Sequence, residues 1–163
     1  GADTNRIVVT LVGDPESVIE AAFSGIKIAS EIIDMRKHLG THARMGATDV
    51  CPFVPISETT MDDCVKYSKI LAEKVGKELK IPIFLYEYSA SSKYRANLAD
   101  VRYGEFEGMV EKLSQTEWKP DYGPTNRHLS AGVTAIGART FLCRPRKQCP
   151  KGLERGEVGD AQG

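Results

Sequence analysis

Residues 60–86, TMDDCVKYSKILAEKVGKELKIPIFLY, carry the clearest secondary-structure pattern in the chain. Thr60 and Asp63 are spaced as a capping box, in which a hydroxyl and a carboxylate bind free backbone amides at a helix start. Apolar side chains then recur every three or four residues on one helical face, at Cys64, Tyr67, Leu71, Val75 and Leu79. Residues 81–86 follow as an apolar strand. A capped helix that leads directly into a buried strand predicts an α/β fold.

A second strand and helix are predicted near the start of the chain. Residues 6–12 (RIVVTLV) are apolar on both alternating faces, which is typical of a strand buried on both sides. Asp14 is expected to cap the following helix, with Pro15 in its first turn. We expect this helix to lie on the sheet and to end near Gly40. Its apolar stripe comprises Val18, Ala22, Ile26, Ala29 and Ile33.

Three further segments complete the predicted sheet and its helices. Residues 50–56 are apolar but contain Pro52 and Pro55, which lack amide donors, so this segment predicts an edge or irregular strand. Residues 105–113 predict a short helix, and residues 132–142 predict a last strand with bulges at glycine. This order of elements predicts a mixed β-sheet with packed helices.

The composition is that of a single globular domain. The chain has 163 residues, of which 41% are hydrophobic and 27% charged. Its 22 basic and 22 acidic side chains balance, which argues against nucleic acid or an anionic membrane surface as a partner. No apolar run approaches the roughly 18 residues that cross a bilayer. We therefore expect a soluble, cytoplasmic protein.

The domain is expected to span residues 1–143. From residue 144 to residue 163 the apolar periodicity disappears, and charged residues, glycine and proline dominate. Such a composition buries too little apolar surface to offset the entropy lost on ordering. We expect this tail to be disordered.

The cysteines predict neither a disulfide scaffold nor a nucleophile. There are four, Cys51, Cys64, Cys143 and Cys149, without a Cys-x-x-Cys pair, so reduced thiols are expected. Cys51 lies in an apolar segment, where burial raises a thiol pKa and makes the side chain inert. Its expected role is core packing.

The spacing of His38 and His42 raises the possibility of a metal site. Four residues apart on one helix, the two imidazoles would share a face. Gly40 lies between them and is expected to end the helix, and no nearby side chain supplies a convincing third ligand. We therefore expect no metal, although a module that uses both histidines and a cysteine stays open as an alternative.

His42 is the strongest candidate for chemistry. It lies past a predicted helix end in a loop bounded by Gly40 and Gly46. Loops on rigid scaffolds often carry functional side chains. Arg44 could bind a carboxylate through two parallel hydrogen bonds, and near His42 it would favour the neutral imidazole that a general base requires. The alternative is a surface histidine beside a structural arginine.

A second irregular segment is rich in side-chain donors and suits a polar ligand. A simple connecting loop is the alternative reading of the same composition. The residues of this segment are Gly123, Pro124, Thr125, Asn126, Arg127, His128, Leu129, Ser130, Ala131 and Gly132.

Several segments together resemble one known family. The chain resembles the amino-terminal subdomain of glutamate formiminotransferase from about residue 4 to residue 142. The resemblance rests on residues 4–6 (TNR), 42–47 (HARMGA), 49–55 (DVCPFVP), 60–62 (TMD), 117–124 (EWKPDYGP) and 137–139 (GAR).

This resemblance implies a ferredoxin-like α/β sandwich and a one-carbon transferase. The implied reaction moves the formimino group of N-formimino-L-glutamate to tetrahydrofolate, a co-substrate, in histidine degradation, with no metal. By the same resemblance, His42 is the acid/base group and Arg44 a partner for a carboxylate or for the transition state. Residues 123–132 match the stretch that contacts folate.

The chain also departs from the pattern of this family. It lacks the family's first strand and helix and its second subdomain, and residues 126–128 are more polar than is common there. A complete cleft is therefore expected to need a homodimer or a separate carboxy-terminal subdomain. The alternative to a transferase is a non-catalytic remnant that binds folate or a protein partner.

Overall fold

The computed structural model describes residues 3–141. The helices are α1 (Pro15–Ile32), α2 (Met61–Glu78), α3 (Leu98–Arg102) and α4 (Glu105–Ser114). The strands are β1 (Val50–Phe53), β2 (Ile83–Glu87) and β3 (Thr134–Ala138), and short 3-10 turns cover Lys93–Arg95 and Thr116–Trp118. The tail predicted to be disordered and the last residue of the predicted final strand lie outside the described residues.

The three strands form a parallel sheet in the order β1-β3-β2. Antiparallel pairing occurs at single bridges, such as the one between Gly46 and Gly132. The predicted α/β class with packed helices is confirmed. β1 lies at an edge, as its prolines predicted, and β3 lies between β1 and β2 although it comes last in the chain.

Alternation along the strands divides the core between the two faces of the sheet. Ile83, Leu85 and Ile136 pack with α1 and α2 in one cluster. Phe84 and Tyr86 pack on the other side in a cluster that includes residues of α3 and α4. A sheet covered on both faces requires nearly continuous apolar strands, which explains why residues 81–86 lack polar alternation.

Both predicted helix starts are confirmed. The Ser17 amide donates to the Asp14 carboxylate at 2.9 Å. At the start of α2, the Asp63 amide donates to the Thr60 hydroxyl at 3.2 Å, and the Thr60 amide donates to the Asp63 carboxylate at 3.1 Å. None of the helices described between residues 3 and 141 is both long and apolar enough to cross a membrane.

The predicted end of α1 near Gly40 is wrong, because the helix ends at Ile32. Two interactions turn the chain away there. The Asp34 carboxylate accepts the Arg36 amide at 3.1 Å, a local turn that competes with the helix, and the Met35 amide donates to the Ser130 carbonyl at 2.8 Å. We predicted that this helix lies on the sheet, but α1 packs mainly on α2.

The strand predicted over residues 6–12 does not form. Ile7 is 82% exposed, and residues 7–12 make no hydrogen bond with any other residue between 3 and 141. β-branched residues favour a strand only where a neighbouring strand supplies the ladder and the apolar contacts. No such neighbour lies beside this segment among the described residues, so its local preference is not realised.

Matched isoleucine substitutions test this difference in burial. Ile136 on β3 is fully buried and Ile7 is exposed. Ile136→Ala is expected to lower the free energy of unfolding by about 2–5 kcal/mol, because it leaves a cavity. Ile7→Ala is expected to change it by less than about 0.5 kcal/mol. Urea unfolding measures both, and comparable losses would show that residues 6–12 are buried in solution.

The capping box predicts a pH dependence. Hydrogen bonds, chiefly from the Thr60 side chain, lower the pKa of Asp63 from 3.8 to about 2. A carboxylate whose pKa is lower in the folded than in the unfolded state stabilises the protein at pH values above the unfolded-state pKa. This contribution is lost as the pH falls through the folded-state pKa. Asp63→Asn should therefore be less stable than wild type at pH 6. The gap should shrink between about pH 4 and pH 2, as measured by thermal unfolding; a constant gap would contradict this.

Candidate active site beside His42

The loop that carries His42 is attached to the beginning of β3. The Val133 amide donates to the Met45 carbonyl at 3.0 Å, and Gly46 bridges Gly132. A Cβ atom on Gly46 would lie 2.1 Å from the Val133 carbonyl oxygen, so only glycine permits this approach. The sheet therefore fixes the position of the loop.

Both ring nitrogens of His42 have hydrogen-bond partners. Nδ1 lies 2.6 Å from the Ala43 carbonyl oxygen, which only accepts, so Nδ1 is assigned as the donor of that bond. The Arg6 Nη1 contacts both ring nitrogens, at 3.2 Å from Nδ1 and closer to Nε2. With Nδ1 as the donor, Nε2 is the acceptor nitrogen of the neutral ring, the form that a general base uses.

His42 lies on the wall of an open cavity of about 770 Å³. The opposite wall comes from α3, α4 and the residues between them. The lining residues are Thr41, His42, Ala43, Ala99, Arg102, Tyr103, Gly104, Glu105 and Glu107. The lining as a whole combines an imidazole, a guanidinium and two carboxylates, a set that favours a polar, charged ligand.

The structure places Arg44 in an ion-pair network. Its Nη1 and Nη2 donate to Glu107 at 2.9 and 2.7 Å, and Nη1 also donates to Glu105 at 2.7 Å. These hydrogen bonds raise the pKa of Arg44 and lower that of Glu107. Only 12% of the Arg44 side chain is exposed, so this guanidinium connects the His42 loop to α4.

The cation that contacts the imidazole is Arg6, and reasoning from the sequence missed it. The two residues are 36 positions apart, and neither periodicity nor spacing joins them. The only signal was that Arg6 belongs to the short TNR segment of the family resemblance.

A second ion pair, between Arg102 and Asp49, was also missed. Their side chains are 16% and 14% exposed. The other Asp49 oxygen accepts the Met45 amide at 3.1 Å, so one carboxylate joins the His42 loop to α3. The two sides of the cavity are therefore connected by two ion-pair networks.

A buried lysine fixes the end of α3. The Lys112 Nζ donates to the carbonyls of Asp100, Val101 and Tyr103 at 2.6, 2.8 and 3.1 Å, and lies 3.8 Å from the Trp118 ring centroid. Burial lowers the pKa of Lys112 to about 8. These donors satisfy carbonyls that a short helix leaves free at its end, which stabilises the wall formed by residues 102–105.

The predicted ligand loop, residues 123–132, is divided between two places. Gly123 and Pro124 line a separate cavity of about 390 Å³ beside the end of α2. Gly123 has φ +83°, and a Cβ atom there would lie 2.5 Å from the Ile81 carbonyl oxygen. Thr125, Asn126 and Leu129 are exposed.

The second half of this loop contacts the His42 loop and α4. The Arg127 guanidinium lies 3.9 Å from the Phe106 ring centroid and donates to the Phe106 carbonyl at 2.6 Å. The His128 Nδ1 accepts the Ala131 amide at 3.0 Å, and Ala131 and Gly132 contact residues 45–47 through their backbones. None of residues 123–132 is among those that line the larger cavity.

The thiols behave as predicted where they are described. Burial raises the pKa of Cys51 to about 12 and also raises that of Cys64. Cys143 and Cys149 lie outside the described residues. Within residues 3–141, no three His, Cys, Asp or Glu side chains gather as a possible metal site, and the His38 Nε2 donates to the Asn5 carbonyl at 2.9 Å.

Comparison with known proteins identifies the family. The family model described as "Formiminotransferase domain, N-terminal subdomain" matches residues 1–139. The chain belongs to this family. The resemblance inferred from the short segments is thereby confirmed.

Two curated relatives are named glutamate formimidoyltransferase, a transferase. The protein from Streptococcus pyogenes serotype M1 is 61% identical over 141 residues, which cover 86% of this chain and 47% of the relative. The protein from Thermoplasma acidophilum is 46% identical, over 85% of this chain and 46% of the relative. The formimidoyltransferase-cyclodeaminase of Rattus norvegicus is 49% identical, over 87% of this chain and 26% of the relative. The chain spans about half the length of the glutamate formimidoyltransferases.

Matched arginine substitutions test the ion pair between Arg102 and Asp49 at the cavity wall. Arg102→Ala leaves Asp49 largely buried without its cation and should lower the free energy of unfolding by about 3 kcal/mol. Arg36→Ala removes a more exposed partner of Asp34 and should cost less than about 1 kcal/mol. Chemical denaturation compares the two variants, and equal small losses would show that the Arg102 pair is solvated.

Proposed function

We propose that this chain contributes to transfer of the formimino group from N-formimino-L-glutamate to tetrahydrofolate, with His42 as the acid/base group. The observation that carries the proposal is the placement of His42. The residue that matches the catalytic histidine of the family lies on the wall of the 770 Å³ cavity, with Nε2 as its acceptor nitrogen.

The proposed reaction needs one proton acceptor that later becomes a donor. N5 of tetrahydrofolate attacks the amidine carbon, and His42 Nε2 takes the N5 proton as the new C–N bond forms. The tetrahedral adduct then collapses with cleavage of the bond to the glutamate nitrogen, and the imidazolium returns the proton to that nitrogen. The products are 5-formiminotetrahydrofolate and glutamate, and the imidazole is regenerated.

Arg6 controls access to the same nitrogen. Its guanidinium contacts Nε2, so N5 of the folate has to replace this contact before proton transfer. The proposal therefore includes displacement of Arg6 when folate binds.

Arg44 acts in this proposal by holding the His42 loop against α4. Both of its terminal nitrogens already donate to glutamates, so a direct role on a substrate carboxylate would require breaking the pairs with Glu105 and Glu107. Folate contacts are assigned to residues 123–132, on the basis of the family match and the attachment of Ala131 and Gly132 to the His42 loop.

The proposed assembly takes the length of the relatives into account. The glutamate formimidoyltransferases it resembles are about twice as long. We include in the proposal a second subdomain, corresponding to the remaining half of these relatives, that covers the open side of the cavity.

Formimino transfer by the purified chain tests this function. His42→Ala is expected to lower kcat by about 10²–10⁴-fold while tetrahydrofolate still binds, because only proton transfer is lost. His38→Ala is the matched control, since His38 does not line the cavity, and should retain turnover.

The outcomes separate the candidate functions. Turnover that survives in His42→Ala would reject this residue as the acid/base group. Folate binding without turnover by the chain alone, with turnover restored by the carboxy-terminal half of a relative, would support the half-site proposal. Absence of both binding and restored turnover would favour the non-catalytic remnant.

A further inference from the structure

One carboxylate oxygen of Glu105 has no hydrogen-bond donor among residues 3–141 and lies in the cavity that contains His42. Its Oε2 accepts from Arg44 Nη1 at 2.7 Å and from the Arg44 amide at 3.4 Å. Its Oε1 has no hydrogen-bond donor among residues 3–141. The side chain is half-exposed on the cavity wall. One oxygen therefore fixes the carboxylate, and the other is available to a ligand.

The other charged side chains of the cavity are already paired. Both oxygens of Glu107 accept from Arg44, and Arg102 pairs with Asp49. Glu105 is thus the one carboxylate on this wall, among the described residues, with an oxygen free to bind a cation. It shares the cavity with the acceptor nitrogen of His42.

The backbone holds Glu105 in an unusual conformation. Its φ is +52°, in the left-handed region that disfavours residues with a Cβ atom, and Gly104 before it has φ +91°. The other such non-glycine residues, Asn5, Glu58, Lys80 and Glu87, do not line this cavity. A glutamate in this conformation lowers the stability of the fold relative to glycine. Such a cost is consistent with a functional role for the glutamate side chain.

The donor of the proposed reaction carries a matching group. A formimino substituent is an amidine, a strong base that is protonated near neutral pH. The resulting amidinium is a planar cation with N–H donors, and carboxylates bind such planar cations through charge-assisted hydrogen bonds. We propose that Glu105 binds the amidinium of N-formimino-L-glutamate through Oε1 and holds the amidine carbon in the cavity beside His42. This inference rests on the proposed function.

A comparison of two ligands tests the amidinium contact without turnover. N-formyl-L-glutamate has the same shape as N-formimino-L-glutamate but a neutral oxygen in place of the charged nitrogen. Calorimetric titration of the full chain, with the subdomain that completes the cleft if binding requires it, should show tighter binding of the formimino compound. Glu105→Gln should reduce this preference by about 10- to 100-fold.

Two variants separate binding from folding. Glu105→Gly relieves the left-handed strain, so its melting temperature should stay near that of wild type, while the preference for the formimino ligand should disappear. Glu111→Gln, on the exposed side of the same helix, is the control and should keep the preference. An unchanged preference in folded Glu105→Gln or Glu105→Gly would overturn the proposal.

Kinetics distinguish failure of this inference from failure of the proposed function. With turnover, Glu105→Gln should raise KM for N-formimino-L-glutamate by about 10- to 100-fold and leave KM for tetrahydrofolate unchanged. A role confined to holding Arg44 would alter kcat and both KM values together, and this result would also overturn the proposal. A formimino preference lost in Glu105→Gln but no turnover in wild type would retain the amidinium site and reject the transfer reaction.

Discussion

The candidate site depends on the close approach of two glycines, Gly46 and Gly132. Their backbones bridge where the His42 loop meets the start of β3, and a Cβ atom on Gly132 would lie 2.3 Å from the Met45 carbonyl oxygen. This contact fixes a loop without regular secondary structure to the central strand of the sheet. The position of His42 therefore follows from a steric constraint in the backbone.

Electrostatic pairing then fixes the opposite wall of the cavity. Arg44 and Asp49 both belong to the segment around His42, and each pairs with residues of α3 or α4. Because both partners of the Asp49–Arg102 pair are mostly shielded from solvent, that pair is screened less than a surface pair. The cavity is held by charges that are already satisfied, so in the proposed mechanism the acceptors for substrate are Glu105 Oε1 and, once Arg6 is displaced, His42 Nε2.

Local rules in the sequence predicted the elements whose causes are local. The capping box at Thr60 and the apolar run before Tyr86 each act within a few residues, and both were correct. The strand predicted over residues 6–12 was wrong, because a strand needs a neighbouring strand and no local pattern reports one. Sequence reasoning missed Arg6, Arg102 and Glu105, because each contacts a residue 36 to 61 positions away. The left-handed backbone of Glu105 was also not visible in the sequence. His42 was selected through its loop and the family resemblance, and its role stays a prediction.

If residues 123–132 bind ligand as proposed, this divided loop links ligand binding to the position of His42. Its first half lies at the end of α2, while Gly132 touches the loop that carries the base. A ligand that orders the exposed residues Thr125 and Asn126 would also restrict Gly132, and through Gly46 it would restrict His42. The same backbone contact that sets the geometry of the base therefore gives the loop a second role. In this arrangement a substitution in the loop can alter kcat without contacting the reacting atoms.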